Sequence, residues 1–124
     1  MMFTHVPPFF YRRLYGLLSI PYTLENLRLG LAVTRVEGSR ARWNPWDTTE
    51  PWPGATDYNS VGVKNYRRPL DGIVATAVTL TNGHYDGWLG AMQAGRLSAR
   101  AIVARHAAEF DTWGTGARNL LGVL

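Results

Sequence analysis

The sequence predicts a mainly α domain, strictly α+β with a minimal β element, and three observations predict it. Apolar residues recur at helical spacing in two blocks, from Thr23 to Glu37 and from Pro69 to Phe110. Residues with helix-start and helix-stop chemistry bound those blocks. Between them, residues 39 to 68 keep no helical period and are punctuated by Pro45, Pro51, Pro53, Gly54 and Gly62.

Taken in order, the chain divides into an N-terminal arm or helix over 1–22 and a single domain over 23–124. The arm carries Pro7-Pro8, the aromatic run Phe9-Phe10-Tyr11 and a closing Pro21, which predicts a short helix from about Phe9 to Ser19. This helix either docks on the core or serves as an exposed anchor to a larger assembly or to a second copy. Thr23 is a suitable N-cap for the next helix, whose apolar face is expected to run through Leu24, Leu27 and Leu31, widened by Leu29, Val33 and Val36. Gly38 stands where a left-handed glycine ends a helix, which puts Glu37 on the last turn. Short β pieces fit around Gly62 to Tyr66. Pro69 suits a first helical turn, followed by Leu70, Ile73, Val74, Ala77 and Val78 at helical spacing and a stop at Asn82-Gly83. A short helix through Tyr85, Trp88, Leu89 and Met92 closes at Gly95. Ser98 caps another, expected to run to about Phe110. Trp113-Gly114-Thr115-Gly116 then reads as a turn before a short apolar tail.

Composition narrows the class. Of 124 residues, 46% are apolar and 18% charged, which excludes a disordered charged tail. There is no cysteine, hence neither a disulfide framework nor a thiolate metal site. Thirteen basic against nine acidic residues give +4, which suits an anionic partner. The arginines are scattered, without a zinc-finger or RNA-binding signature, so no nucleic-acid partner is expected. The N-terminal apolar stretch from Leu14 to Ile20 is far short of the roughly 20 residues of a membrane span, and no export signal is expected. His5, His84 and His106 have no zinc-binding spacing, and no nucleophile elbow or phosphate-cradling loop occurs. Neither a metal nor another cofactor is expected.

One acid stands apart. A glutamate ending a buried helix beside an aromatic-rich loop is placed for desolvation, which keeps a carboxyl protonated near neutral pH as a general acid must be. Glu37 meets that description. Glu25 and Asp71 sit in first helical turns, where a carboxylate simply complements the helix dipole. Asp86, Glu109 and Asp111 read as helix-end or surface charges.

The ordered run Glu37-Gly38, Ala41, Asn44-Pro45, Thr48-Thr49, Tyr58-Asn59, Gly62-Val63 and Asn65-Tyr66 resembles the lysozyme-like superfamily of lytic transglycosylases and goose-type lysozymes, and within it the short modules of actinobacterial phages. Asp71-Gly72-Ile73, Ala75-Thr76, Leu80, Asn82-Gly83 and Trp113 to Gly116 extend the resemblance over about residues 24 to 116. Ser39 and Asp47 depart from it, as do the first twenty residues. The resemblance implies a lysozyme-like fold that cleaves bacterial peptidoglycan glycan, with Glu37 as catalytic acid. It implies a substrate groove that includes Asn44, Trp46, Asp57, Tyr58, Asn59, Val63, Asn65 and Tyr66, with Trp43 and Trp52 as further rings for stacking on sugar faces. It further implies a phage virion, or delivery to the bacterial wall, as the setting.

Two chemistries remain open at this level. A retaining glycosidase needs a second carboxylate about 5 Å from the acid, and an inverting one a wider gap. Asp47 and Asp57 are the loop candidates. A lytic transglycosylase uses the single glutamate as acid and then base. A non-enzymatic alternative is a catalytically silent virion protein on the same fold, held to other virion proteins through residues 1–20.

Overall fold

The computed structural model describes residues 8–124. Seven helices and one two-stranded antiparallel sheet make up these residues, in the order α1 (Pro8–Leu17), α2 (Leu24–Glu37), β1 (Thr56–Asp57), β2 (Lys64–Asn65), α3 (Pro69–Leu80), α4 (Asp86–Ala94), α5 (Ala99–Arg105), α6 (Ala107–Trp113) and α7 (Ala117–Val123). The chain is therefore mainly α with a minimal β element. No helix among the described residues is long and apolar enough to cross a membrane.

Helix α1 buries Phe10, Tyr11, Leu14 and Tyr15 on one face and leaves Arg12 and Arg13 in water. These side chains, with Leu18 and Ile20, belong to the same apolar cluster as Leu29, Trp88 and Ile102. The expected boundary at residue 22 is thus no boundary of packing. Phe10 and Tyr11 of the expected anchor are used inside while Phe9 is 41% exposed, and residues 1–7, with His5, lie outside the described residues. Tyr15 Oη donates to the Asn26 carbonyl at 2.6 Å, and Tyr11 Oη meets Thr34 Oγ1 at 2.6 Å.

These tyrosines also set the face that α2 buries. A Cβ on Gly30 would stand 2.3 Å from Tyr15 Oη, so the helices approach through a glycine. Asn26, Leu29, Gly30, Val33 and Thr34 turn inward, while Leu24 and Leu31 are 68% and 49% exposed. The expected Leu24–Leu31 face is corrected accordingly: polar partners for two tyrosines and a buried Asn26 outweigh leucine burial there. Asn26 Nδ2 donates to the carbonyls of Pro21 and Met92 at 2.8 and 2.9 Å. The ends match expectation. Thr23 Oγ1 accepts the Asn26 N–H at 3.1 Å, and Gly38 closes the helix at φ 55°, its N–H on the Thr34 carbonyl.

Strand pairing is Thr56 with Asn65 and Asp57 with Lys64. Pro69 occupies the first turn of α3. Gly72 lets that helix lie against the preceding loop, because a Cβ there would come within 1.8 Å of the Trp43 carbonyl oxygen.

The second half holds two departures from expectation. The helix begun by Ser98, whose Oγ accepts the Ala101 N–H at 3.1 Å, breaks at His106 instead of running to Phe110. The apolar tail after Gly116 is helix α7. The break gives α6 its own direction, and Glu109 accepts the Gly87 and Trp88 N–H groups at the start of α4, at 3.1 and 2.8 Å. Glu25 likewise accepts the Ala99 N–H of α5, and Asp111 the Ala117 N–H of α7, each at 2.9 Å. Carboxylates from neighbouring elements thus satisfy donors that helix starts leave open.

Candidate active site

The last turn of α2 delivers Glu37 half-buried into a junction of three segments. The Thr115 hydroxyl, from the turn between α6 and α7, donates to its Oε2. Asp47 approaches from the loop after α2, within hydrogen-bonding reach of the Glu37 carboxyl. Burial is the main reason that the Glu37 pKa rises from its ordinary value of 4.5 to about 7. The Thr115 hydroxyl pulls it down, while the hydrogen bond with Asp47 and the charge on Asp47 push it up. Asp47 Oδ1 is buried without a hydrogen-bond partner.

Asn44 folds the loop that brings Asp47 there. Its Nδ2 donates to the Thr48 and Lys64 carbonyls, both at 2.8 Å, and its Oδ1 accepts the Thr48 N–H at 2.9 Å. The turn so closed carries Asp47 at φ 57°, a left-handed conformation that Asp tolerates better than most residues. Trp46 points the other way. It is fully buried, stacks on Trp88 at 5.9 Å between centroids, and donates from Nε1 to Thr34 Oγ1 at 3.1 Å. Trp113 Nε1 donates to the Trp46 carbonyl at 2.8 Å.

The structure sorts the residues expected along the groove. Trp46 is core, corrected from a sugar-stacking position, because the loop turns it under Glu37 and onto Trp88. Asn44 is wholly buried, with both ends of its amide engaged. Val63 is buried beneath the hairpin, and Asn59 closes the hairpin turn by accepting the Val63 N–H at 3.0 Å. Asp57 is exposed on β1 and pairs with Lys64 at 2.5 Å. Trp43 and Trp52 are half-buried. Tyr58, Asn65 and Tyr66 border one cavity beside the hairpin. It measures about 460 Å³ and is lined also by Arg40, Arg42, Gly54, Thr56 and Arg67. Glu37 and Asp47 are not in its wall. Loop residues 38–42 connect the two features.

Sequence reasoning missed Thr115 as a partner of Glu37, and it missed the convergence of Arg40, Arg42 and Arg67. Trp113-Gly114-Thr115-Gly116 was legible as a turn, but nothing local says what its hydroxyl meets. Among the described residues, no three His, Asp or Glu side chains gather in a way that could hold a metal ion. What Glu37 can do chemically is release a proton near neutral pH and take it back. No family model, curated protein or solved structure matches this chain.

Proposed function

We propose that the chain cleaves the glycan strands of bacterial peptidoglycan, with Glu37 as the proton donor and acceptor, in the manner of the lysozyme-like superfamily that its ordered residues resemble. The observation that carries this reading is the setting of Glu37. Its carboxyl is desolvated, faces Asp47 and holds its proton to about pH 7, which is what protonating a glycosidic oxygen requires.

The position of Asp47 supports a single-acid route. Asp47 acts on the Glu37 proton itself, pushing its pKa up, which is the part of a positioning group. Asp57 is exposed and engaged by Lys64. On this route Glu37 protonates the bridging oxygen and the bond from the anomeric carbon breaks. The Glu37 carboxylate then takes the proton of the muramic 6-hydroxyl, whose oxygen bonds to the anomeric carbon and yields an anhydro sugar. Asp47 is a positioning residue that keeps Glu37 protonated at rest.

The test is a turbidity and product assay on purified actinobacterial peptidoglycan with wild type and Glu37→Gln. Losing the acid should cost about 10²- to 10⁴-fold in rate. Anhydro-muropeptides would support the transglycosylase route, and reducing ends a hydrolase. A second reading, a silent wall-binding or virion protein on the same scaffold, draws on one observation: the acid pair lies outside the cavity wall. It predicts that neither protein cuts and that both bind glycan equally.

A further inference from the structure

The cavity beside the hairpin is lined by three guanidinium groups, those of Arg40, Arg42 and Arg67. None has a carboxylate partner among the described residues, where the ion pairs are Arg28–Glu25, Lys64–Asp57 and Arg68–Asp71. The neighbouring Lys64 and Arg68 are thus neutralised internally, and the three arginines of the cavity are not. Three cations without a carboxylate partner along one wall draw anions towards it.

The backbone and stem beneath two of these side chains are fixed. Gly54, at φ 82°, lies under the stem of Arg67, and a Cβ there would stand 2.5 Å from Arg67 Cδ. The backbone of Arg42 is clamped on both sides, its N–H on Asn65 Oδ1 at 2.9 Å and its carbonyl on the Tyr66 N–H at 2.9 Å. Arg40 follows Glu37 by three residues, so the loop that leaves the acid also supplies one wall of the cavity. Tyr58, 43% exposed, offers a ring face of the kind that sugars stack on. At about 460 Å³ the cavity has the volume of a small-ligand site. A single exposed ring is a poor platform for successive nucleic-acid bases, which need a row of them.

We propose that this groove binds an oxyanion-bearing glycan, with Arg40, Arg42 and Arg67 holding carboxylate or phosphate groups along one side of the sugar chain while Tyr58 stacks on a ring. Guanidinium forks match both oxyanions in bidentate geometry. Two sources share this chemistry: the carboxylates of peptidoglycan stem peptides, and phosphodiester polymers of the wall. The identity of the polymer rests on the function proposed above. The charge recognition does not.

The test measures binding by the full-length chain carrying Glu37→Gln, so that cleavage does not intervene. The probes are soluble peptidoglycan fragments with free stem carboxylates, the same fragments amidated, poly(glycerol phosphate), a neutral N-acetylglucosamine oligomer and a single-stranded oligonucleotide. Either charged glycan should bind at least about tenfold tighter than its neutral counterpart, and less tightly as salt rises. Preference for the free-carboxylate fragments assigns the stem peptide, and preference for the phosphate polymer assigns that source. Replacing Arg40, Arg42 and Arg67 together by Gln should abolish the preference. The same charge change at Arg96, Arg105 and Arg118, exposed and outside the cavity, should leave it within about twofold. Arg67→Lys, which keeps the charge and loses the fork, should recover only part of the affinity, and gives a milder variant should the triple one fail to fold. Three outcomes would overturn the proposal: equal binding of neutral and charged glycans, full binding by the cavity variants, or tighter binding of the oligonucleotide than of any glycan. A wild-type chain that binds charged glycan without cutting it would leave this site standing and remove the cleavage reading instead.

Discussion

The two ends of helix α2 each carry a glutamate, and the two sit in opposite surroundings. Glu25, in the first turn, accepts the Ala99 N–H at the start of α5 and pairs with Arg28 at 3.3 Å. Its own helix presents the positive end of its dipole there. Glu37, at the last residue, stands at the negative end, faces a second carboxyl and receives one hydroxyl. Residue type and helix are the same. Each accepts one donor from elsewhere in the chain; what differs is that Glu25 also has a cation beside it while Glu37 is desolvated beside a second carboxyl, and that difference separates a structural carboxylate from a chemical one.

The comparison breaks most visibly in activity. Glu37→Gln is expected to remove about 10²- to 10⁴-fold of any glycan cleavage, whereas Glu25→Gln should leave the rate within about twofold. Equal losses in a product assay would mean that the two ends are not distinct. Gly72→Ala comes next. Its new methyl meets the Trp43 carbonyl in the loop that carries Asp47, so about 3 kcal/mol of stability should go, read as a lower midpoint in chemical denaturation. Cleavage should fall with it even at temperatures where the variant is folded.

The pH dependence of stability sharpens the contrast. Glu37 binds its proton more tightly folded than unfolded, so its contribution is fully present below about 4.5 and is lost as pH rises through about 7. Across that window wild type should lose about 2 kcal/mol from this group, a figure discounted because part of the carboxyl meets solvent. Denaturation of Glu37→Gln should lack this slope, and the variant should be the more stable protein at pH 8. Two further substitutions act on the same proton from opposite sides. Asp47→Asn removes the group that pushes the Glu37 pKa up and should lower its titration midpoint by about one pH unit, while Thr115→Val should raise it. Carbon-detected NMR of the glutamate carboxyls reads both. The smallest effect is Glu25→Gln, about 1 kcal/mol from weakening the cap on α5, read as a lower denaturation midpoint.

The parts legible in the sequence are those whose physics is local. Thr23, Gly38, Pro69, Gly95 and Ser98 act within one turn of their own positions, and each stands at the helix end it announces. The face of α2 was not legible, because Leu24 and Leu31 have the right spacing and the deciding information lies in Tyr11 and Tyr15 on another helix. The break at His106 goes with Glu109 reaching the start of α4, a contact that no pattern within residues 98–110 encodes. At the site, Glu37 could be singled out from its place after a helix and before a glycine. Asp47 was a candidate without a distance, and Trp46 was misread because an aromatic in a loop gives no sign of which way the loop turns it. Thr115 had no signal at all.

Thr115 follows its partner by 78 residues, and the Trp113 indole follows the Trp46 carbonyl by 67. A chain made from its N-terminus therefore carries Glu37 through most of its synthesis as a plain solvated carboxylate, with neither the burial nor the hydroxyl that define it. The hydroxyl that holds the Glu37 proton affinity down arrives only with the last two helices, so a C-terminally clipped chain would keep the acid and lose the contact that tempers it.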